Sequence, residues 1–340
     1  MALSEGAAPA ATLRVGEARV PIIGSARVYV CGITPYDTTH LGHAATFVWT
    51  DLARFERDAS DLGIVRPAFE PRSYDYVDDV IALALGLLAQ GAAYERDGSV
   101  FFHGEHVCET AGLAPGEAAI LLSEDSARHD TRMDEAEENP QDVVIWQRSS
   151  GDEPAWPSPW GEGRPGWHAE CAAMALSTFG PTMDLHGGGA DLRFPHHAYE
   201  AAMAEAFTGV APFARSWMHV GTVMIRGQKM AKSTGNLVLV HDLLQRWPAA
   251  ALRYLILSRP WEAAWEFEEN ALDEATAHLD DIWRSATTPV ESEGARRKVV
   301  AALLDDLDVP ASLAIAKEAG GQVLTEVIDF LGLRDTTTWY

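Results

Sequence analysis

The feature that most constrains the fold is a short apolar run that ends in a glycine–proline break and is followed by a helical pattern. Residues Arg27–Cys31 are rich in β-branched and aromatic side chains, which predicts a buried strand. Residues 32–35 break that strand, and residues 42–57 repeat apolar side chains at helical spacing. This order opens a doubly wound α/β unit, in which ligands bind at the carboxyl ends of strands. Cys31 stands at such an end.

The remaining pattern divides the chain into five segments. Acidic and Pro/Gly-rich stretches interrupt the α/β pattern, which resumes at about Trp167. Amphipathic helices, typical of a small bundle, are predicted over residues 270–285, 294–307, 310–319 and 323–333. The predicted segments are a weakly ordered N-terminal lead-in over 1–25, the first half of a catalytic α/β domain over 26–90, an insertion over 91–166, the second half over 167–260 and a C-terminal helical bundle over 261–340.

The composition is that of a globular protein with an acidic surface. Of 340 residues, 47% are hydrophobic and 22% charged, which is compatible with a sizeable core. The formal net charge of −24 repels a polyanion such as tRNA on average, although a local basic patch is compatible with it. A generally acidic or halotolerant proteome is an alternative cause of the charge. The composition therefore argues against a nucleic-acid partner without excluding one.

The cysteines and the N-terminus indicate a reducing compartment. An odd and small number of cysteines, namely Cys31, Cys108 and Cys171, is not a disulfide framework. Residues 1–12 lack a basic segment with a long apolar core, and no apolar stretch is long enough to span a membrane. We therefore predict a cytoplasmic protein, neither secreted nor membrane-spanning, in which Cys108 is an inert buried thiol.

Two histidines flank a glycine at the entry to the first predicted helix, in the run Thr-His-Leu-Gly-His over residues 39–43. Helix N-termini attract anions, and glycine lets a ligand approach the backbone closely. Imidazoles can donate hydrogen bonds to phosphate oxygens as charge builds on an α-phosphate. His40 and His43 are therefore candidate catalytic residues for ATP, and an ordinary pair of loop histidines is the alternative.

A second candidate for phosphate binding is the run Lys-Met-Ala-Lys-Ser over residues 229–233. Lys229 and Lys232 are three apart, and glycines at positions 227 and 235 suit a mobile loop that closes over phosphates. A solvated basic turn is the alternative.

Four residues form a candidate metal site. Cysteine, histidine and carboxylate are good zinc ligands, and they are present as Cys31, Cys171, His196 and Glu200. His196 and Glu200 are four apart, so on a helix they share a face. The spacing is too long for a zinc finger, a buried cysteine or satisfied histidine is the alternative for each one, and His197 is a competing ligand.

Together, the histidine and lysine motifs resemble the two signature motifs of class I aminoacyl-tRNA synthetases, His-Ile-Gly-His and Lys-Met-Ser-Lys-Ser. Leu41 is a mild departure, and Ala231 loses a hydroxyl but keeps both lysines, so we expect the loop to work. Longer segments look like cysteinyl-tRNA synthetase and its offshoot, the cysteine ligase of mycothiol biosynthesis. These segments are residues 29–37, 165–171 and 186–197, within a similarity over most of 26–335, and residues 39–46 and 156–159 look closest to the mycothiol ligase.

The resemblance implies an α/β fold with a class I aminoacyl-tRNA synthetase-type, Rossmann-like (HUP) catalytic domain, an insertion and a C-terminal helical bundle. It implies zinc on Cys31, Cys171 and His196, while Glu200 matches a further ligand of the synthetase that the mycothiol ligase lacks. Zinc would bind the substrate thiolate, which serine and alanine cannot offer.

The same resemblance implies roles around Mg²⁺-ATP and cysteine. Residues that line the ATP or adenylate are expected to be Gly32, Ile33, Thr34, Gly42, Thr46, Gly189, Ala190, Asp191, Val223 and Ser233, with His40, His43, Lys229 and Lys232 as catalytic residues. Residues of the substrate pocket are expected to be Trp167, Ser73, Asp75 and His186.

Two departures bear on the substrates. Where the family carries Asn-x-Thr-Asp-x-Asp-Asp, residues 73–79 place Ser73 and Asp75 at the Asn and Thr positions. A carboxylate there can pair with a substrate ammonium or an acceptor amine, and it opposes a substrate carboxylate. Neutral replacement is the alternative. An acidic–basic–glycine motif of the mycothiol ligase's insertion is not reproduced at residues 122–130.

We therefore predict an ATP-dependent, AMP-forming ligase that makes cysteinyl-AMP and transfers the cysteinyl group to a small-molecule amine. The amine is a mycothiol-type amino sugar or another amine of specialised metabolism. A synthetase would continue into an anticodon-binding region beyond the bundle, whereas this sequence ends at Tyr340; with the charge, this predicts that tRNA is not the partner. A shortened cysteinyl-tRNA synthetase and a non-catalytic homologue are the alternatives, and the oligomeric state, monomer or homodimer, stays open.

Overall fold

Two compact units make up the chain in a computed structural model that describes residues 11–22, 25–31, 41–50, 62, 64, 67–123, 137–231, 234–287 and 293–334. The first unit comprises described residues within 1–68, 186–190 and 216–340. The second unit comprises described residues within 69–185 and 191–215.

The strands of the described residues are short. They are β1 (Ala11–Val15), β2 (Ala18–Ile22), β3 (Val28–Val30), β4 (Ala93–Arg96), β5 (Ser99–Phe102), β6 (Val143–Arg148), β7 (Trp156–Ser158), β8 (Gly161–Pro165), β9 (Leu185–Gly189), β10 (Trp217–Val220), β11 (Val223–Ile225), β12 (Gln228–Lys229) and β13 (Trp265–Glu266).

The α-helices are α1 (Leu41–Thr50), α2 (Val77–Ala89), α3 (Glu105–Thr110), α4 (Pro115–Ser123), α5 (Trp167–Phe179), α6 (Ala198–Thr208), α7 (Val240–Leu244), α8 (Ala249–Leu257), α9 (Asn270–Ala286), α10 (Glu293–Leu304), α11 (Val309–Ala319) and α12 (Gly321–Phe330). Short helical turns of other types cover Ser73–Tyr76, Ala190–Leu192 and Arg193–His197.

A small sheet in the first unit has the strand order β10–β9–β3, with β10 and β9 parallel. Helix α1 follows β3 and packs against α8, β10 and β11. The strand predicted over Arg27–Cys31 is present as β3, and the helix predicted from residue 42 starts at Leu41. This strand-then-helix order with a parallel pair confirms the predicted α/β class.

The four predicted C-terminal helices are present as α9 to α12. The second one ends at Leu304 and not near residue 307. The reason is local, because Asp306 and Leu307 have φ angles of 66° and 53°, which a helix cannot continue through.

The expectation of a weakly ordered lead-in over residues 1–25 is wrong for its described part. Strands β1 and β2 form an antiparallel hairpin whose turn contains Gly16, at φ 57°. Val15 and Val20 are buried, and the N–H of Gly16 donates to Oδ1 of Asp306 at 2.6 Å. The missed signal is a glycine turn between two runs that alternate in polarity.

The second unit contains a five-stranded antiparallel sheet in the order β4–β5–β6–β8–β7. Helix α5 packs against α2 and α6. The predicted insertion over 91–166 thus contains a sheet of its own. Core side chains of this unit include Val80, Leu87, Val100, Ile145, Trp146, Tyr199 and Met203.

Candidate active site

Helix α5 carries several candidate site residues of the second unit, and the position of its first turn is fixed by Gly166. The helix follows β8 at Gly166, whose N–H donates to the carbonyl oxygen of Ile145 at 2.8 Å. A Cβ at this glycine would lie 2.0 Å from the carbonyl oxygen of Val144. The close approach of strand and helix therefore requires glycine, and it sets the position of Trp167 and Cys171.

Three potential metal ligands lie together in the second unit. Cys171 comes from α5, His196 from the turn before α6, and Glu200 from α6. Their ligand atoms lie within 4.8 Å of one another, and their exposed fractions are 8%, 1% and 0%. Nε2 of His196 is 2.7 Å from Oε1 of Glu200, so these two side chains share a face as their spacing predicts.

The charges around His196 favour a cation. Burial lowers the pKa of His196, but the Glu200 carboxylate and the Cys171 side chain outweigh burial and raise it to about 10. The same groups would stabilise a bound metal ion in place of the proton. Sulfur, imidazole nitrogen and carboxylate oxygen are a zinc ligand set, so the residues present fit this metal.

Two further histidines belong to this cluster. His168 is buried on α5, and its Nδ1 lies 2.8 Å from Nδ1 of His196. His197, the competing ligand of the sequence analysis, is also buried, and its ligand atom lies within 4.8 Å of that of Glu200. The sequence did not indicate a role for His168, although it lies within residues 165–171, which carry the family resemblance.

Trp167 forms a partly open wall over His196. The two rings stack at a centroid distance of 4.2 Å and an angle of 25°. Trp167 is 36% exposed, so its ring is accessible next to the buried metal ligands. A small apolar or thiol side chain can lie against such a surface.

Glu170 is a second residue that sequence reasoning missed. Burial, and then the charge of Cys171, raise the pKa of Glu170 to about 7, although a hydrogen bond from Ser73 and the proximity of His196 lower it. Ser73 is therefore in contact with α5 through Glu170. The signal for Glu170 was its place beside Cys171 in the same sequence run.

The two unusual residues at positions 73 and 75 have different surroundings. Both lie in the short helical turn Ser73–Tyr76, which packs against α5. Ser73 is half-buried, whereas Asp75 is exposed and adds to the electrostatic field at Arg72. The carboxylate of Asp75 is thus available to groups from solution.

Cys31 and His186 lie together in the first unit. The N–H of Cys31 donates to the carbonyl oxygen of Gly187, and its Sγ lies 3.4 Å from Nε2 of His186. The His186 ring stacks on Trp217 at 4.6 Å and meets Tyr29 nearly edge-on at 5.0 Å. Both predicted site residues are buried.

The main chain of the histidine motif is bonded to the segment that follows the lysine motif. Helix α1 begins at Leu41, within the histidine motif, and the N–H of Leu41 donates to the carbonyl oxygen of Val238 at 2.9 Å. Gly42 and His43 lie in α1, as does the half-buried Thr46. The start of this helix is therefore fixed next to the end of the lysine segment.

The lysine motif itself starts at the end of a hairpin. Strands β11 and β12 pair across Arg226 and Gly227, with φ angles of 52° and 73°. Val223 begins β11 and is buried, and its carbonyl oxygen accepts from the N–H of Met230 at 3.0 Å. Lys229 ends β12 and is exposed.

Of the other residues predicted to bind or act on ATP, some are described by the structure and some are not. Gly189 ends β9, and Ala190 and Asp191 form the turn that follows it. Those that lie outside the described residues are Gly32, Ile33, Thr34, His40, Lys232 and Ser233.

All three cysteines are buried, and none of them forms a disulfide bond. Cys108 lies in the core of the second unit, with its Sγ 3.7 Å from the hydroxyl of Tyr199. Among the described helices, none has the length and apolar character that a membrane span requires.

Comparison with known proteins gives the family. Residues 52–277 match the family described as tRNA synthetases class I (C) catalytic domain. Cysteine–tRNA ligase of Thioalkalivibrio sulfidiphilus is 34% identical over 342 residues, which cover 86% of this chain and 74% of that protein. L-cysteine:1D-myo-inositol 2-amino-2-deoxy-alpha-D-glucopyranoside ligase of Streptomyces griseus is 37% identical over 341 residues, which cover 85% and 82%.

Solved structures show the same fold. Mycobacterium tuberculosis methionyl-tRNA synthetase in complex with methionyl-adenylate superimposes with a TM-score of 0.60 at 16% identity, covering 90% of this chain and 83% of that one. The family match and these relatives define a class I synthetase-type, ATP-dependent ligase that works through an aminoacyl-adenylate. The chain belongs to the family of class I (C) tRNA synthetase catalytic domains, and its predicted resemblance to cysteinyl-tRNA synthetase and the mycothiol cysteine ligase is confirmed.

Proposed function

We propose that this chain activates cysteine as cysteinyl-AMP and transfers the cysteinyl group to a small-molecule amine. The observation that carries the proposal is the buried set of Cys171, His196 and Glu200 below the accessible ring of Trp167. A soft metal in such a set favours a thiol over a hydroxyl or methyl group. The selection of cysteine over serine and alanine then needs no editing step.

We infer that zinc is held by Cys31, Cys171 and His196, as the family resemblance implies, with Glu200 as a further ligand. When bound, zinc would lower the pKa of the substrate thiol and so stabilise its thiolate form. Trp167 limits water on one side of the thiol. Asp191, if it acts as the resemblance implies, lines the adenylate.

In the first step the cysteine carboxylate attacks the α-phosphorus of Mg²⁺-ATP. A new P–O bond forms to the carboxylate, the bond to the β-phosphate oxygen breaks, and pyrophosphate leaves. His40, His43, Lys229 and Lys232 are proposed to stabilise the charge on the phosphates. The hydrogen bond from Leu41 to Val238 supports this assignment, because it joins the main chain of the histidine motif to the segment that follows the lysine motif.

In the second step the amine nitrogen attacks the adenylate carbonyl. A protonated amine first loses a proton to solvent. The C–N bond then forms from the free amine, the bond from the carbonyl carbon to the phosphate oxygen breaks, AMP leaves, and the nitrogen loses a second proton to solvent. Three observations support an amine acceptor in place of tRNA: the net charge of −24, the exposed carboxylate of Asp75, and the similarity to the ligase of Streptomyces griseus. Asp75 is proposed to attract a protonated amino group before transfer.

The first experiment is ATP–pyrophosphate exchange with zinc-loaded protein and each of the twenty amino acids, without an acceptor. Exchange with cysteine alone is expected. Exchange with another amino acid removes the cysteine assignment, and no exchange with any of them favours a non-catalytic homologue. AMP release is then measured with glucosaminyl-inositol, with a panel of other amines and with cysteine tRNA.

A shortened cysteinyl-tRNA synthetase is the second candidate. It is favoured by relatives such as Cysteine–tRNA ligase of Rhodospirillum rubrum, which is 35% identical over 93% of this chain. Formation of cysteinyl-tRNA, together with tRNA binding at physiological salt, would replace the amine ligase. Amide formation without tRNA charging would exclude this candidate.

A further inference from the structure

The side chain of Asn236 bridges two main-chain groups of the lysine motif. Its Nδ2 donates to the carbonyl oxygen of Lys229 at 3.0 Å, and its Oδ1 accepts from the N–H of Ala231 at 2.9 Å. One carboxamide therefore satisfies a carbonyl and an N–H on the same edge of the segment, as a neighbouring strand would.

The opposite edge of the segment is fixed as well. The N–H of Met230 donates to the carbonyl oxygen of Val223 in β11, and the Met230 side chain is buried. Met230 thus anchors the segment on the sheet side, while Asn236 binds it on the other. The backbone between Lys229 and Ala231 is held from both edges.

Thr234 completes the arrangement. Its hydroxyl lies 2.7 Å from the carbonyl oxygen of Ala231 and 2.6 Å from Oδ1 of Asn236. The N–H of Thr234 also donates to the carbonyl oxygen of Ala231, at 3.2 Å. Gly235 then takes a φ of 66°, which turns the chain so that Asn236 faces back onto the motif.

We propose that Asn236 is a positioning residue for ATP activation, which it supports by fixing the backbone from Lys229 to Ala231 and hence the position of the Lys229 side chain. The inference rests on the proposed function, because it assigns Lys229 and Lys232 to the phosphates. Small displacements of groups that bind phosphates in the transition state reduce rate strongly. Loss of the bridge should therefore lower kcat more than it raises KM for ATP.

The test compares Asn236→Ala with Asn139→Ala in the full-length, zinc-loaded protein. Asn139 is a matched control, because its Oδ1 likewise accepts a main-chain N–H, that of Gln141 at 3.0 Å, but in the second unit. Cysteine-dependent ATP–pyrophosphate exchange is expected to lose about 10- to 100-fold in kcat in Asn236→Ala. KM for ATP should change far less, and Asn139→Ala should keep the wild-type rate.

Thr234 gives a conservative series. Thr234→Val should lower kcat by about 2- to 5-fold, because the hydrogen bond of the hydroxyl is lost. Thr234→Ser keeps the hydroxyl and should therefore keep the wild-type kcat. The effects of Thr234→Val and Asn236→Ala should not add, because both residues act in one network. Equal kcat in Asn236→Ala and Asn139→Ala, or a change in KM alone, would overturn the proposal.

A second readout does not depend on catalysis. Hydrogen exchange across residues 223–238 should show that Asn236→Ala loses protection at the Ala231 amide. Unchanged protection there overturns the bridge itself. If wild-type protein activates no amino acid, the proposed function fails, whereas hydrogen exchange at the Ala231 amide still tests the bridge by Asn236 on its own.

Discussion

Nδ1 of His168 lies 2.8 Å from Nδ1 of His196, and both rings are buried. When His196 is neutral and offers Nε2 to a metal, its Nδ1–H donates a hydrogen bond to Nδ1 of His168. His168 is then protonated on Nε2. The contact is therefore compatible with the tautomer of His196 that offers Nε2 to zinc, and we expect His168 to support that tautomer when the metal binds.

His168→Asn should weaken zinc binding by about 10- to 100-fold, the usual effect of removing a partner behind a metal ligand. Zinc affinity is measured by competition with a chromogenic chelator. His106→Asn is the matched control, because His106 is exposed on α3. An unchanged zinc affinity in His168→Asn would contradict the tautomer role.

Gly166→Ala should destabilise the protein by about 1–3 kcal/mol, because the new methyl group meets the carbonyl oxygen of Val144 and displaces the start of α5. Zinc retention should fall with it, since α5 carries Cys171. Urea unfolding and zinc content are the measurements. Gly116→Ala is the control: a Cβ there meets no atom within 4 Å, and stability should stay equal or rise slightly.

Arg253→Met should lower the free energy of unfolding by about 2–3 kcal/mol. Arg253 is 5% exposed, and its guanidinium donates to the carbonyl oxygens of Leu331 at 2.9 Å and Leu62 at 3.0 Å. Both acceptors lose a charged donor in the variant. Arg284→Met, at an exposed site on α9, should change stability by less than about 1 kcal/mol in the same urea titration.

Asp75→Asn should raise KM for the acceptor amine by up to about 5-fold, the range for an exposed charge pair. Cysteine-dependent pyrophosphate exchange should stay at the wild-type rate, because the amine is absent from that half-reaction. Asp152→Asn, another exposed aspartate, is the control. A loss of exchange in Asp75→Asn would place Asp75 in activation and not in transfer.

The sequence predicted the elements that have strong local patterns. Helix α9 carries a continuous amphipathic pattern, and its predicted and observed bounds differ by one residue at the C-terminal end. Cys171, His196 and Glu200 were found from residue type and from the family motifs. Their assembly in the second unit follows from α5 and α6 packing together, which no spacing rule contains.

Other site features could not be predicted because they depend on tertiary contacts. The role of His168 follows from the position of a ring that is 28 residues away in sequence. Glu170 depends on burial and on the hydroxyl of Ser73, which belongs to a different helix. The bridge by Asn236 depends on the turn at Gly235, and a polar residue after a glycine is too common to indicate it.

Ala231 takes part in the lysine segment only through its N–H and carbonyl groups, which bond to Asn236 and Thr234. Every amino acid except proline supplies both groups. Alanine can therefore stand where the family signature has serine without loss of these two main-chain hydrogen bonds. The conformation of this segment thus depends on the side chain of Asn236 and not on the side chain of residue 231.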